Sequence, residues 1–441
     1  MRETIFALSS GLPPAGVAVI RISGPGVRFG LETLVRSVPQ PRVAHLCHIR
    51  GDAGLVLDQG LVLFFPAPNS FTGEDVAELQ IHGGRASVSA ILSFLAALPG
   101  FRSAEPGEYT KRAFENGRMD LTAVEGLSDL IRAETEAQRR QALGQADGVL
   151  RDLYEGWAKQ ITHARAMVEA ELDFSDEEDI PGSVTDQIWP EMVDLVAEIS
   201  AHLSKAKAAE IVRDGFRIAL IGPPNAGKSS LLNFLAKRDV AIVSDIAGTT
   251  RDVVEVRLDI DGNLVLLQDT AGLRESNDKI ELEGIRRSLA AAETADLVLE
   301  LRDCRELPDI SEKPTSQDNK YLMVRSKVDM LEGSMSTSSP GDIFLSAKTG
   351  EGVDILLSAI KSRVSDYTIG SGEVLPTRER HTHYLNVCLR ELEVAAIGKD
   401  LAIEVRSEFL RSAAIALGRI TGTVDVEDLL GVIFSEFCVG K

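Results

Sequence analysis

Residues 216–235 read FRIALIGPPNAGKSSLLNFL: an apolar strand, a glycine-bearing turn and the start of a helix in one run. Gly222 and Gly227 frame the pattern GxxxxGKS. Glycines at these two points let backbone N–H groups turn inward around phosphate oxygens, and Lys228 adds a point positive charge for the β- and γ-phosphates. The Ser229 hydroxyl stands where a Mg2+ ligand is needed, and Asn225, Ala226 and Ser230 complete the loop. The flanking strand and helix supply the context this motif requires. They predict an α/β domain over residues 211–370, with α/β alternation running to about Val364.

Three further elements narrow the nucleotide. Asp269, Thr270, Ala271 and Gly272 form DTAG after the apolar strand NLVLLQ, which suits a carboxylate reaching the metal through water and a glycine N–H at the γ-phosphate. Between the two loops, the switch segment Ser244, Asp245, Ile246, Ala247, Gly248, Thr249 and Thr250 offers Thr250 as a second Mg2+ ligand. Ser326, Lys327 and Asp329 of SKVD follow the strand YLMVR and resemble the guanine-reading NKxD element; Ser346, Ala347 and Lys348 suit the loop whose backbone contacts the guanine oxygen. An aspartate at position 329 accepts from the ring N–H and the amino group of guanine, a donor pair that adenine lacks. Order and spacing together resemble the translation-factor class of GTPases.

Two departures bear on chemistry. Ser326 stands where the pattern has asparagine; one lost ordinary hydrogen bond costs roughly 0.5–1.5 kcal/mol. Leu273 follows DTAG where many small GTPases place a water-orienting glutamine, so Glu281 or Glu283 is expected to hold the water instead. Arg251 and Arg274 are the arginines placed to act as a finger in cis.

Outward from this domain the texture changes. The first ~120 residues mix short strands with helices: GVAVIRISG and QGLVLFFP read as buried strands and RASVSAILSFLAALPG as a helix. From about Met119, apolar residues recur at three- and four-residue steps, which predicts long amphipathic helices broken by the acidic loop DFSDEEDIPG. Helices resume from about Thr377. The economical layout is residues 1–118 as an N-terminal α/β domain, 119–210 and 371–441 as two halves of a helical domain, and 211–370 inserted between them. With 47 Lys and Arg against 67 Asp and Glu, the net charge is −20, which argues against broad, unspecific nucleic-acid binding. Four cysteines, far apart and without a CxxC, suggest neither zinc nor a disulfide framework. No signal peptide or membrane-length apolar run is visible, so a reducing cytoplasm is expected, with no membrane association.

The segments LPPAGVAVIRISGP, PNSFTGEDVAELQIHGG, PGEYTKRAFENGRMDLTAVEGLSDLI, PNAGKSSLLNFL, SDIAGTTRD, DTAGLRE and the terminal FCVGK together resemble the MnmE (TrmE) family of tRNA-modification GTPases over nearly the whole chain. The resemblance implies an N-terminal folate-binding and dimer-forming domain, a helical domain, and a Ras-like P-loop GTPase domain inserted in it. It implies a homodimer that acts on tRNA with an FAD-dependent partner, MnmG. The product is an aminomethyl or carboxymethylaminomethyl group on carbon 5 of the wobble uridine, with one carbon from a tetrahydrofolate derivative (5-formyl or 5,10-methylene). Folate contacts fall on Arg21, Glu78, Arg118, where the family's lysine is expected, and Lys441. Potassium replaces the arginine finger in this scheme, held by Asn225 and by the segment of Ser244, Ile246 and Thr249; Glu281 corresponds to the water-orienting glutamate. A regulatory or assembly GTPase acting on a ribonucleoprotein is the rival reading. Such proteins usually carry an added basic RNA-binding module, and none is visible.

The tail raises its own question. CVGK is a poor prenylation box, since Gly440 and Lys441 replace an aliphatic residue and a permitted last residue. A tail returning to the folate pocket is the expectation, with Lys441 as a contact and Cys438 as a possible catalytic thiol.

Overall fold

The computed structural model describes residues 2–173, 185–238, 240–242, 255–269, 290–305, 320–331, 342–367 and 373–424, together with 430, 431, 433, 434, 437 and 440. It divides into two compact units. One holds residues 1–128, 145–197 and 383–441; the other holds 129–144 and 198–382.

The first unit opens with a six-stranded sheet of β1 (Thr4–Leu8), β2 (Ala15–Ser23), β3 (His45–Arg50), β4 (Val56–Phe65), β5 (Val76–Gly83) and β6 (Phe101–Ser103), in the order β3-β4-β5-β2-β1-β6. All neighbours run antiparallel except β1 and β6. Helices α1 (Val27–Val35) and α2 (Arg85–Ala97) supply Leu31, Leu34, Ile91 and Leu95 to a core with Ile20, Ile22, Val62 and Leu79. The strands read as buried therefore bury one face only: along β2, Ala18, Ile20 and Ile22 point inward while Val17 is 58% exposed. With period-two geometry, Arg21 and Glu78 fall on the opposite face, directly across from one another in register.

Helices α3 (Glu108–Glu115) and α4 (Leu121–Arg132) follow, then α5 (Glu136–Ala146), α6 (Val149–Asp173), α7 (Thr185–Ser204) and α8 (Ala206–Asp214). Leu150, Tyr154, Trp157, Ile161, Ala164 and Val168 form a buried stripe at three- and four-residue steps along α6. The acidic loop expected after it lies largely outside the described residues.

The second unit carries β7 (Phe216–Ile221), α9 (Lys228–Leu235), β8 (Glu255–Ile260), β9 (Asn263–Asp269), β10 (Leu297–Asp303), β11 (Tyr321–Ser326), β12 (Ile343–Phe344) and α10 (Val353–Ser365). Its sheet order is β12-β11-β10-β7-β9-β8, parallel except for the β8–β9 hairpin. The apolar runs expected for strands covered on both faces are present, for example Ile218, Ala219 and Leu220 in β7. This unit reaches beyond residues 211–370. Arg257 of β8 pairs with Glu134 at 2.8 Å, and the Ala137 N–H donates to the Gly262 carbonyl at the hairpin tip. Gln138 and Gln141 of α5 donate to the carbonyls of Arg213 and Ala209 on α8, and Arg213 donates to the Thr377 carbonyl.

The last helices are α11 (Glu379–Ile397) and α12 (Ile403–Thr421). Within the first unit, α12 packs along α6.

Candidate nucleotide site and N-terminal site

The phosphate loop joins β7 to α9 as its sequence predicts. Gly222 has φ +140°, and a Cβ there would lie 2.1 Å from the Leu301 carbonyl of β10, so no other residue fits without displacing the neighbouring strand. Asn225 takes the left-handed conformation at φ +64°, which asparagine tolerates better than most residues. Lys228 is 7% exposed and its Nζ donates to the carbonyls of Gly222 (2.7 Å) and Pro223 (3.0 Å), spanning the loop. Burial lowers its pKa, opposed by the nearby Asp269 carboxylate. The Ser229 hydroxyl donates to Asp269 Oδ2 at 3.0 Å. The residues expected to serve the magnesium ion thus meet across the gap between β9 and α9. A hydroxyl and a carboxylate make an all-oxygen donor set, which suits that hard cation.

The elements expected to read the base lie two strands over from β7, beyond β10. Lys327 has φ +63° at the end of β11, and Asp329 sits in the 3-10 turn Val328–Met330. The Ser346 hydroxyl donates to Asp329 Oδ1 at 2.6 Å and accepts from the N–H groups of Lys348 and Thr349 at 3.2 Å, so the SAK loop orients the carboxylate. Ser326 is 3% exposed, and its hydroxyl meets the carbonyl oxygens of Ala226 (2.5 Å) and Arg302 (3.2 Å). The hydroxyl that replaces asparagine therefore ties the base loop to the phosphate loop, within which Ala226 is itself buried.

Of the remaining expected residues, Ser244, Asp245, Ile246, Ala247, Gly248, Thr249 and Thr250, together with Thr270, Ala271, Gly272 and Glu281, lie outside the described residues. So do Leu273, Glu283, Arg251, Arg274, Cys438 and Lys441.

In the N-terminal sheet Arg21 donates through Nε and Nη2 to Glu78 Oε1 at 3.0 and 2.8 Å. Two aromatic residues that the sequence reading did not single out flank the arginine. Its guanidinium carbon lies 5.3 Å from the Phe71 ring centre and 5.8 Å from that of Tyr109, whose hydroxyl donates to the Arg21 carbonyl. Arg118 passes close to Gly73, two residues beyond Phe71. The tail runs back to the same sheet. Phe434 and Phe437 are buried with Val124, and the Ser9 hydroxyl donates to the Gly440 carbonyl at 2.8 Å. Gly440 has φ +100°, and a Cβ there would meet the Leu8 carbonyl at 2.2 Å. A tight passage of this kind needs glycine, which accounts for the small residue that made CVGK a poor lipid box.

A model of the MnmE helical domain matches residues 121–438, and one of the GTP-binding protein TrmE N-terminus matches residues 4–118. The chain belongs to the MnmE family. It is 54% identical to the tRNA modification GTPase MnmE of Rhizobium johnstonii, over 100% of this chain and 99% of that protein. Identity to the proteins of the same name is 53% in Agrobacterium fabrum and 52% in Chelativorans sp., again over 100% of this chain and 99% of each relative. The two family matches together cover the N-terminal sheet and the sheet that carries the phosphate loop. Among the described residues, no helix is long and apolar enough to cross a membrane.

Proposed function

We propose that this chain is the GTP-hydrolysing subunit of a cytoplasmic system that modifies carbon 5 of the tRNA wobble uridine. One observation carries the reading. A phosphate loop and a guanine-type base loop are joined through Ser326 in a chain whose full length matches tRNA modification GTPases. Lys228 and the loop N–H groups hold the β- and γ-phosphates, Ser229 with Thr250 and Asp269 serves Mg2+, and Asp329 reads guanine. Glu281 holds the attacking water in place of a glutamine. Potassium, when bound by Asn225 with the carbonyl groups near Ser244, Ile246 and Thr249, supplies positive charge to the transition state. Turnover in potassium chloride is expected to exceed that in sodium chloride at equal ionic strength; equal rates would remove potassium from the mechanism.

In this proposal the GTPase domain is inserted between two halves of the helical domain, and the N-terminal domain takes a tetrahydrofolate and forms a homodimer. Arg21 and Arg118 are cations suited to the folate glutamate tail, and Glu78 is a carboxylate suited to its pterin edge; Lys441 adds a further cation. The tail's return to Leu8 and Ser9 supports a folate site that the tail completes, and Cys438 is its proposed catalytic thiol. The modification itself requires MnmG. Mass analysis of wobble uridine in cells lacking this protein tests the whole reading: carboxymethylaminomethyl- and aminomethyl-type uridines should disappear, and their persistence would refute it.

A further inference from the structure

The base loop is gripped from behind by an acidic side chain that takes no part in the chemistry described so far. Asp303 ends β10, in register with Ser326 of β11, and is 6% exposed. Its Oδ2 accepts from Lys327 Nζ at 3.0 Å. Arg305 also reaches this carboxylate, from Nη2 to Oδ2 at 2.6 Å and from Nε to Oδ1 at 3.0 Å, and the Arg305 N–H donates to Oδ1 at 3.1 Å. These contacts, Arg305 first, hold the Asp303 carboxyl well below the usual range, so it is ionised at any working pH. The next residue grips the lysine backbone: the Cys304 thiol donates to the Lys327 carbonyl at 3.3 Å. Lys327, two residues before Asp329, is thus held at both its backbone and its ammonium.

A free lysine side chain loses rotamer freedom when it is ordered, at a cost in free energy. A base that packs against the stem must meet that cost at binding unless something has met it beforehand. We propose that Asp303 is a positioning residue for guanine recognition, holding Lys327 extended beside Asp329 before any nucleotide arrives. The proposal rests on the GTP reading above. It assigns to Asp303 an effect that passes wholly through Lys327, and this separates it from a carboxylate that merely supports the fold.

A double-mutant cycle on the full chain, read by titrating a fluorescent N-methylanthraniloyl GDP, tests the assignment. Asp303→Ala is expected to weaken GDP by about tenfold, corresponding to some 1.4 kcal/mol. Asp303→Asn, which keeps an acceptor without the charge, should lose less. In a Lys327→Ala background, either change at Asp303 should shift the dissociation constant by less than twofold. Should Asp303→Ala fail to fold, as judged by its melting curve, the Asp303→Asn cycle decides alone. Equal losses with and without the lysine would overturn the positioning role while leaving the nucleotide reading intact. A wild-type chain that fails to bind the probe would overturn the nucleotide reading and this proposal with it.

Discussion

Asp329→Asn is expected to convert the protein from a guanine to a xanthine nucleotide binder. The Ser346 hydroxyl donates to Asp329 Oδ1, and the same hydroxyl would hold the oxygen of an asparagine at that place, turning the amide NH2 toward the base. Guanine presents its ring N–H and exocyclic amino donors to that edge, so a donor now faces donors. Xanthine carries a carbonyl where guanine carries the amino group, and the pair is matched again. Each charge-assisted bond lost is worth about 1.5–3 kcal/mol, so GTP should weaken by about a hundredfold or more. Competition of GTP and XTP for the bound probe measures this directly. An unchanged order of preference would show that Asp329 does not read the base.

Lys228→Ala should have the second large effect. The ammonium lies across the phosphate loop on the carbonyls of Gly222 and Pro223, near Asp269, and is nearly excluded from water. That placement commits it to whatever occupies the loop. In the proposed mechanism its removal takes the ammonium away from the β- and γ-phosphates and leaves the developing charge of the transition state uncompensated. GTP affinity is expected to fall by about two orders of magnitude, with hydrolysis falling at least as far. Because, among the described residues, the hydrogen bonds of the lysine go to loop carbonyls, the melting temperature without nucleotide should move by no more than a few degrees. A variant that still hydrolyses GTP at the parental rate would place the γ-phosphate elsewhere.

The parts of this site that could be read in the sequence are those in which one local requirement dictates one residue type. Gly222 and Gly227 follow from a loop whose N–H groups must turn inward, and the lysine and serine after Gly227 follow from the phosphates and the metal. Contacts set by register were not readable. Arg21 and Glu78 lie far apart in sequence, and only the β2–β5 pairing brings them together. Asp303 belongs to no motif, and the role proposed for it depends on β11 lying alongside. The run from about Met119 announced helices but not the neighbours of α5; Arg257 and Gly262 of the β8–β9 hairpin and Ala209 of α8 decide those. At Ser326 the expected loss of a hydrogen bond took no account of how near the strand end comes to Ala226, near enough for a short hydroxyl to reach.

The division of the chain has a consequence for the order in which the protein is made. Everything the nucleotide-binding unit needs has been synthesised once residue 382 is added, whereas α6, at residues 149–173, must wait for its packing partner at 403–421. During that interval the nascent chain can complete a GTP-binding unit while Trp157, Ile161 and Val168 still lack the helix that packs along theirs. Pairing of segments so distant in sequence is slow, and an uncovered apolar stripe invites aggregation or chaperone capture. Ribosome-bound chains halted beyond residue 382 would therefore acquire the ability to bind guanine nucleotide before the helical pair resists protease, which makes closure of α12 onto α6 a late event in maturation, followed by the seating of the tail at Ser9.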